Sequence, residues 1–137
     1  MTYDEAFEQL LAEGSIHRPP RDAIFDFVDV VLDRKSVQAY ELLDECYECG
    51  EATMVMLSVL YNNAKAVLQV QSCDGKDISK TTGLTGWQIK CAKPHVGKYY
   101  NGELVSIMRL IQELESGIKS GKYEEQFVMP YLLAEIL

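Results

Sequence analysis

The spacing of apolar residues between positions 24 and 50 predicts two short amphipathic helices joined by a charged turn, Asp33-Arg34-Lys35. In both helices the apolar residues recur every three or four positions, which is the period of a helix buried on one face. Ser36 is the expected N-cap of the second helix, and Gly50 suits the left-handed residue that ends it. The apolar faces consist of Ile24, Phe25, Val28, Val31 and Leu32, and of Ala39, Tyr40, Leu43, Cys46 and Tyr47. These faces predict a helical hairpin that packs against the rest of the chain.

Residues 51–72 give the longest uninterrupted helical pattern and are expected to form the central helix of a bundle. A second long helix is expected to begin with Asn101 as its N-cap and to stop at Gly121. The predicted core residues of these two helices are Leu57, Leu60, Tyr61, Ala64 and Leu68, and Leu104, Ile107, Ile111 and Leu114.

The last helical pattern covers residues 124–137, and its apolar residues include Phe127 and Tyr131. Pro130 is expected to kink this helix, because a proline ring removes a backbone hydrogen bond from the helix interior. No segment shows the alternation of apolar and polar residues that is typical of a strand. The predicted fold class is therefore all-α, a bundle of about five to seven helices.

Residues 76–97 are predicted to form a short helix, a turn at Gly83 and a second helix. Thr85 and Gln88 have the spacing of a capping box, in which each side chain accepts a hydrogen bond from the backbone N–H of the other residue. The second helix is expected to end or bend near Lys93, because a proline follows directly.

The predicted domain boundary lies near residue 21. Residues 1–21 are expected to form an N-terminal helix and linker, with a weakly amphipathic helix over residues 3–13. The apolar side of that helix consists of Phe7, Leu10 and Leu11. Residues 22–137 are expected to form one helical domain, since domains commonly contain about 100–150 residues.

The composition is ordinary for a soluble globular protein, with 47% hydrophobic residues and a formal net charge of -8. No apolar run approaches the roughly 20 residues that span a bilayer, and the first residues lack the basic start of an export signal. The cytoplasm is therefore the expected location, without membrane contact. The charge is unevenly distributed, because residues 76–98 hold five lysines and one acidic residue, whereas residues 1–75 hold 14 acidic and five basic residues.

The four cysteines are expected to be structural, with no catalytic residue, no cofactor and no metal site. Cys46 and Cys49 form a CxxC pair near the C-terminal end of an acidic helix, where the helix dipole raises a thiol pKa. Cys73 and Cys91 are too far apart in sequence to supply the second ligand pair of a zinc site. The alternative is a thiol enzyme that uses Cys46, Cys49, Cys91 or His95, which requires a thiol pKa well below about 8.5.

A further alternative is a small helix-turn-helix protein that binds DNA through residues 77–98. Two helices around a tight turn fit the outline of that motif, and the excess of lysine suits phosphate contacts. The second helix has no arginine or asparagine to bind base edges, and Trp87 is expected to pack instead. The candidate contacts to phosphate or to an acidic partner are Lys90, Lys93 and Lys98.

Four segments follow one another in an order that resembles a known family. They are IFDFVDVVLDRKSVQAYELLDECYECGE, MLSVLYNNAKAVLQVQ, DISKTTGLTGWQIKCAKPHVGKYYNGEL and LIQELESGIKSGKY. The chain resembles, over residues 22–137, the C-terminal domain of the delta subunit of bacterial DNA polymerase III, the clamp-loader subunit that opens the sliding clamp. The matching features include the Gly50-Glu51 turn and the final motif with Glu115, Ile118, Lys119 and Gly121.

The resemblance implies a non-catalytic collar domain that assembles with the corresponding domains of gamma/tau and delta-prime-like clamp-loader subunits in DNA replication. It implies only indirect or weak contact with DNA, and the implied enzyme is the whole DNA-directed DNA polymerase holoenzyme, a nucleotidyltransferase. The ATPase-like modules that bind the clamp in this family have no counterpart here, so clamp opening is not an expectation for this chain. Pro94 and Pro130 interrupt helices that the family usually keeps continuous, which favours a divergent copy of phage or mobile-element type.

Overall fold

The computed structural model describes residues 20–73 and 78–137, which form seven α-helices and one 3-10 helix without any strand. The α-helices are α1 (Pro20–Leu32), α2 (Ser36–Glu48), α3 (Thr53–Gln71), α4 (Ile78–Thr82), α5 (Gly86–Ala92), α6 (Asn101–Lys119) and α7 (Glu125–Ile136), and the 3-10 helix spans Lys93–His95. The all-α prediction is confirmed. The helix predicted for residues 3–13 lies outside the described residues.

Helices α1 and α2 form the predicted hairpin, but its buried face differs in part from the prediction. Phe27 is fully buried and was missed, whereas Phe25 is 44% exposed and Tyr40 is 41% exposed. Successive helical residues are about 100° apart around the axis, so Phe25 lies at the edge of the face that Ile24 and Phe27 bury. Hydrophobicity identified the helix, but not the limits of its buried face.

Three helices end in the same backbone arrangement, with one residue in the left-handed conformation. Gly50 (φ 82°) and Gly121 (φ 77°) end α2 and α6 as predicted. Arg34 (φ 60°) ends α1, where the amides of Arg34 and Lys35 donate to the carbonyls of Val31 and Val30. This pair of hydrogen bonds is the Schellman arrangement, which usually takes glycine at the left-handed position.

Helix α3 is the centre of the bundle, as predicted, and it contacts α1, α5, α6 and α7. Its predicted core residues Leu57, Leu60 and Ala64 are buried, whereas Tyr61 and Leu68 are half-buried. The four predicted core residues of α6 are all buried. The core therefore lies mainly between α3 and the helices that surround it.

The capping box of α5 is present as predicted. The Gln88 amide donates to Thr85 Oγ1 at 3.2 Å, and the Thr85 amide donates to Gln88 Oε1 at 2.9 Å. Helix α5 then ends at Ala92, and the 3-10 helix carries the chain through Pro94, in agreement with the predicted end or bend near Lys93.

Two predicted N-caps are corrected by the structure. Ser36 and Asn101 are the first helical residues, and the N-cap positions belong to Lys35 and Tyr100. The Tyr100 amide is satisfied by Glu103 Oε1 at 2.9 Å. Helix α7 continues through Pro130, which lies inside it. None of the described helices combines the length and the apolar character needed to cross a bilayer.

Candidate subunit interface

Helix α7 is apolar on two sides, and only one side is covered by the described part of the chain. Val128, Met129, Leu132 and Leu133 are buried in the core. On the other side Phe127 is 63% exposed and Tyr131 is 51% exposed. A helix that is hydrophobic around its whole circumference is normally buried, so the second side of α7 has the character of a contact surface.

The exposed side of α7 forms one wall of an open groove, here called the C-terminal aromatic groove. Its apolar lining comes from α6, α7 and the loop between them, and its volume is about 390 Å³. The apolar residues are Leu114, Tyr123, Phe127, Val128 and Tyr131, and Lys122 and Glu124 form a polar rim. Aromatic residues inside a polar rim are typical of protein–protein interfaces. The hydrophobic pattern placed Phe127 and Tyr131 in the apolar set but did not separate the two sides of the helix.

A second groove, here called the Trp87 groove, lies between α1, α3 and α5 and has a volume of about 480 Å³. Its apolar lining consists of Phe25, Val28, Ala66, Trp87 and Cys91. Trp87, which was expected to pack, is 70% exposed. The reason is that α5 is short and buries only Ala92, so the indole at its first turn lies outside the core.

The three candidate lysines are all exposed. Lys90 lies on α5 with its ammonium 5.8 Å from the centre of the Trp87 ring, and Lys93 begins the 3-10 helix. Lys98 follows in the loop, where its backbone carbonyl accepts a hydrogen bond from Arg34 at 3.1 Å. No acidic residue occurs between residues 78 and 98. The three side chains thus lie on a basic segment and remain candidate contacts for an acidic partner.

His95 is a structural residue in this fold. Its ring is buried, with Nδ1 2.7 Å from Asp33 Oδ1 and Nε2 3.1 Å from Asp29 Oδ1. Since both ring nitrogens face carboxylate oxygens, both donate when the ring is protonated, and neither is free to activate Cys91. The four-residue spacing of Asp29 on α1 and Asp33 directly after it is the only local signal of this arrangement, because the histidine lies more than 60 residues away.

A nucleophilic cysteine requires a lowered thiol pKa, but the surroundings of the CxxC pair raise it. Cys46 is fully buried, and its pKa is raised to about 12, first by burial and then by Cys49 and Glu45. The thiol-enzyme alternative therefore fails at this residue. None of the four cysteines forms a disulfide, and the described residues hold no group of three or more His, Cys, Asp or Glu side chains placed to bind a metal ion.

Cys46 is expected to resist alkylation in the native protein at pH 8, because its raised pKa and its burial leave almost no accessible thiolate. The measurement is iodoacetamide labelling followed by peptide mass spectrometry, with the half-buried Cys91 as the internal comparison. Labelling of Cys46 should begin only in denaturant. Equal labelling of both thiols in the native protein would contradict the raised pKa.

The same shift predicts that stability falls as the pH rises above 9. Between the ordinary thiol pKa of 9.0 and the native value of about 12, the unfolded state has lost its Cys46 proton and the native state retains it. Unfolding then releases a proton, so the free energy of unfolding decreases with pH in this window. Denaturant unfolding from pH 8 to 11 should show a smaller decrease for Cys46→Ala than for the parent chain, and parallel curves would refute the assignment.

Arg34 connects the α1–α2 turn to the start of α6, and sequence reasoning gave it no role. Its guanidinium lies 4.2 Å from the centre of the buried Tyr99 ring and donates to Glu103 Oε2 at 2.8 Å. The Tyr100 amide first, and Arg34 in addition, lower the pKa of the Glu103 carboxyl. The Tyr99 hydroxyl in turn donates to the Val31 carbonyl at 2.8 Å. This cluster ties the end of α1 and the α1–α2 turn to the start of α6.

The family model described as DNA polymerase III delta subunit, C-terminal domain, matches residues 21–136. The chain belongs to this family. Among solved structures, the Bacillus subtilis DNA clamp loader delta protein (YqeN) has the same fold, with a TM-score of 0.74 and 17% sequence identity. The similarity covers 87% of this chain and 37% of that one, so the chain spans little more than a third of the length of that relative. No curated protein sequence matches the chain significantly.

Membership in the delta C-terminal family agrees with the resemblance drawn from the sequence and with the all-α fold. The match lends no support to the alternative of a helix-turn-helix DNA-binding protein. Within this delta C-terminal domain, the residues that looked chemically active have structural roles, since His95 bridges two aspartates and Cys46 is buried. The C-terminal aromatic groove and the Trp87 groove, by contrast, have no role in the packing of the described residues.

Proposed function

We propose that this chain is a non-catalytic subunit-assembly domain of a delta-like clamp-loader subunit, acting in DNA replication in the cytoplasm. Residues 22–137 would form the assembling domain, and residues 1–21 would form an N-terminal helix and linker. Its partners would be gamma/tau and delta-prime-like clamp-loader subunits, which it would contact through their corresponding collar domains. Membership in the delta C-terminal family supports this role.

The observation that carries the proposal is the C-terminal aromatic groove. Phe127 and Tyr131 are more than half exposed on a helix whose opposite side is fully buried. Large aromatic side chains in a depression are the residues that commonly contribute most of the affinity at an interface. We therefore propose that this groove receives an apolar side chain of a neighbouring subunit.

The test is size-exclusion chromatography with light scattering of the full chain, alone and mixed with clamp-loader ATPase subunits. We expect a defined complex with the parent chain. Phe127→Asp should weaken it by about 30-fold or more, because losing a buried aromatic contact costs about 2 kcal/mol at least. Fluorescence titration or calorimetry would give the dissociation constants.

Gln126→Asp is the matched control, because it places the same new charge on the neighbouring, exposed residue of α7. The control should bind like the parent chain. If Phe127→Asp binds as tightly as the parent chain, the groove is not part of the interface. If the parent chain forms no complex with the ATPase subunits, the proposed function itself is contradicted.

We also propose Lys90, Lys93 and Lys98 as contacts to an acidic surface, with DNA contacted indirectly or weakly. All three are exposed on a segment whose described residues carry no acidic side chain. Adding duplex DNA to the mixtures at low and high salt separates the two kinds of partner. Tight DNA binding by the chain alone, lost steeply with salt, would favour a phosphate-contacting role over the proposed one.

A further inference from the structure

A second depression lies between the same two helices that form the C-terminal aromatic groove. It has a volume of about 500 Å³ and is here called the Ser106 depression. Its walls come from the start of α6, the end of α7 and the α1–α2 turn, and they include Glu103, Ser106, Leu110, Glu135, Ile136 and Arg34. Helices α6 and α7 contact each other and both pack on α3. Their inner side is therefore covered, and the two depressions open on the outer side.

The residues that line the two depressions form one row on each helix. Spacings of three or four residues place one set of α6 residues on a single flank, namely Glu103, Ser106, Leu110, Leu114 and Gly117. The corresponding row on α7 consists of Phe127, Tyr131 and Glu135. The start of α6 lines a depression together with the end of α7, so the two rows run in opposite directions. Together they border one surface, here called the α6–α7 groove.

The α6–α7 groove is long enough for a helix of about four turns. From Glu103 to Gly117 the flank of α6 covers about 21 Å, at a rise of 1.5 Å per residue, which is the length of a helix of about 14 residues. Exposed aromatic rings line one end, and the half-buried Leu110 lies further along. An amphipathic helix binds such a groove through apolar side chains that recur every three or four residues.

The charges beside the α6–α7 groove are mainly acidic. Arg34 is balanced by Glu103, because its guanidinium donates to that carboxylate at 2.8 Å. Glu113 belongs to the α6 flank, since it lies three residues after Leu110. The exposed carboxylates along the two rows are those of Glu113, Glu124 and Glu135. They outnumber Lys122, the cation that lines the aromatic end. A partner with basic flanks therefore complements this surface.

We propose that the α6–α7 groove holds an amphipathic helix of the neighbouring clamp-loader subunit, with apolar side chains in both depressions and lysine or arginine on its flanks. This inference rests on the proposed function, which places one apolar side chain in the C-terminal aromatic groove, and it extends the contact to the Ser106 depression. The basic side chains of the partner pair with Glu113, Glu124 and Glu135. The spacing of apolar residues and the complementary charge together select the partner.

Ser106→Arg tests the second depression, because an arginine side chain there occupies the space that a partner side chain would enter. The matched control is Ser116→Arg, which makes the same change at an exposed residue on another side of α6. Calorimetric titration with the clamp-loader ATPase subunits should show an affinity about tenfold lower or less for Ser106→Arg and the parent affinity for the control. Far-UV circular dichroism verifies that both variants are folded.

Photo-cross-linking locates the two contacts on the partner. Benzoylphenylalanine is placed at position 127 in one chain and at position 106 in another, and mass spectrometry identifies the partner residues that react. Leu114, which lines the aromatic groove with Phe127, lies about 12 Å from Ser106 along α6. The same distance along a partner helix corresponds to about eight residues. Both chains should therefore react with one helix of one subunit, at positions about eight residues apart.

Glu135→Lys tests the charge of the partner, with Glu41→Lys as the same change at an exposed residue of α2. Stopped-flow measurement of association with the ATPase subunits should show a rate about threefold lower or less for Glu135→Lys at low salt, and a smaller difference at high salt. The Glu41→Lys variant should associate like the parent chain. Faster association of Glu135→Lys would show an acidic partner flank and overturn the proposal.

The remaining outcomes separate this inference from the proposed function. If Phe127→Asp weakens the complex but Ser106→Arg binds like the parent chain, the proposed function stands and the bound helix is refuted. Cross-links from positions 127 and 106 to two different subunits would refute it as well. The absence of any complex would overturn both. If the chain alone forms a dimer that Ser106→Arg dissociates, a second copy of the chain occupies the groove instead.

Discussion

Replacing Gly117 with alanine is expected to lower the free energy of unfolding by about 1–3 kcal/mol, the usual cost of forcing an extra group into a packed site. A Cβ atom at Gly117 would overlap the ring of Tyr123. The Tyr123 backbone is held beside Gly117, because the Lys122 and Tyr123 amides both donate to the Gly117 carbonyl, at 2.8 and 3.2 Å, so the ring can avoid the new Cβ only by changing its rotamer. Thermal and urea unfolding, followed by circular dichroism, would measure the change.

Gly102→Ala is the control for this prediction, because it makes the same substitution in the same helix. A Cβ at Gly102 would meet no atom within 4 Å. Alanine is also the better helix former, so this variant should gain up to about 1 kcal/mol. A double-mutant cycle with Tyr123→Ala should recover most of the loss at Gly117. Equal effects at the two glycines, or no recovery in the cycle, would rule out the overlap as the cause.

Gly117 also connects the core to the proposed interface. Tyr123 lines the C-terminal aromatic groove, and the close approach of its ring to α6 requires a residue without a side chain at position 117. A substitution there should therefore shift one wall of the groove as well as destabilise the fold. Binding to the ATPase subunits should weaken for Gly117→Ala even under conditions in which the variant is fully folded.

Features of the fold that depend on neighbouring residues in the sequence were predictable. The capping box of Thr85 and Gln88 and the left-handed glycines at positions 50 and 121 were identified correctly from the sequence. Each of these depends on interactions within one turn of a helix. The buried positions of α6 were also predictable, since an amphipathic helix buries the face that carries its regular apolar spacing.

Features that depend on distant parts of the chain were not predictable in the same way. Arg34 adopts a left-handed conformation that usually favours glycine, and its side chain is held by Tyr99 and Glu103, which come more than 60 residues later in the sequence. Trp87 was expected to pack rather than to contact DNA bases, yet the short α5 leaves it at the surface. Hydrophobicity predicts that such residues make contacts, but only the fold decides whether the contact lies within the chain or with another segment or partner.

The buried histidine is the clearest case of a residue whose role depends on the fold. The thiol-enzyme alternative named Cys91 and His95, but in the structure both ring nitrogens of His95 are directed at Asp29 and Asp33. The ring joins the 3-10 helix to the first helix and thereby fixes α5, which carries Trp87. Its loss should accordingly affect the Trp87 groove as well as the stability of the domain.

His95→Ala is expected to destabilise the protein by about 2–3 kcal/mol, the usual cost of removing hydrogen bonds to charged groups. It leaves Asp33, whose side chain is 25% exposed, without its partner at 2.7 Å. Asp33→Asn and Asp29→Asn provide a matched pair, because the chemical change is the same while the Asp29 side chain is 61% exposed. Solvent weakens exposed ion pairs, so Asp29→Asn should cost well under about 1 kcal/mol and Asp33→Asn should cost more.

Urea unfolding of the three variants measures these differences, and the nitrogen-15 chemical shifts of His95 report whether both ring nitrogens carry protons. Two protonated nitrogens together with the order His95→Ala, Asp33→Asn, Asp29→Asn would establish the histidine as the link between the 3-10 helix and α1. Equal costs for the two aspartates, or a His95→Ala variant as stable as the parent chain, would mean that apolar packing alone positions α5. In that case the Trp87 groove should keep its shape in the variant, which the Trp87 emission spectrum would reveal directly.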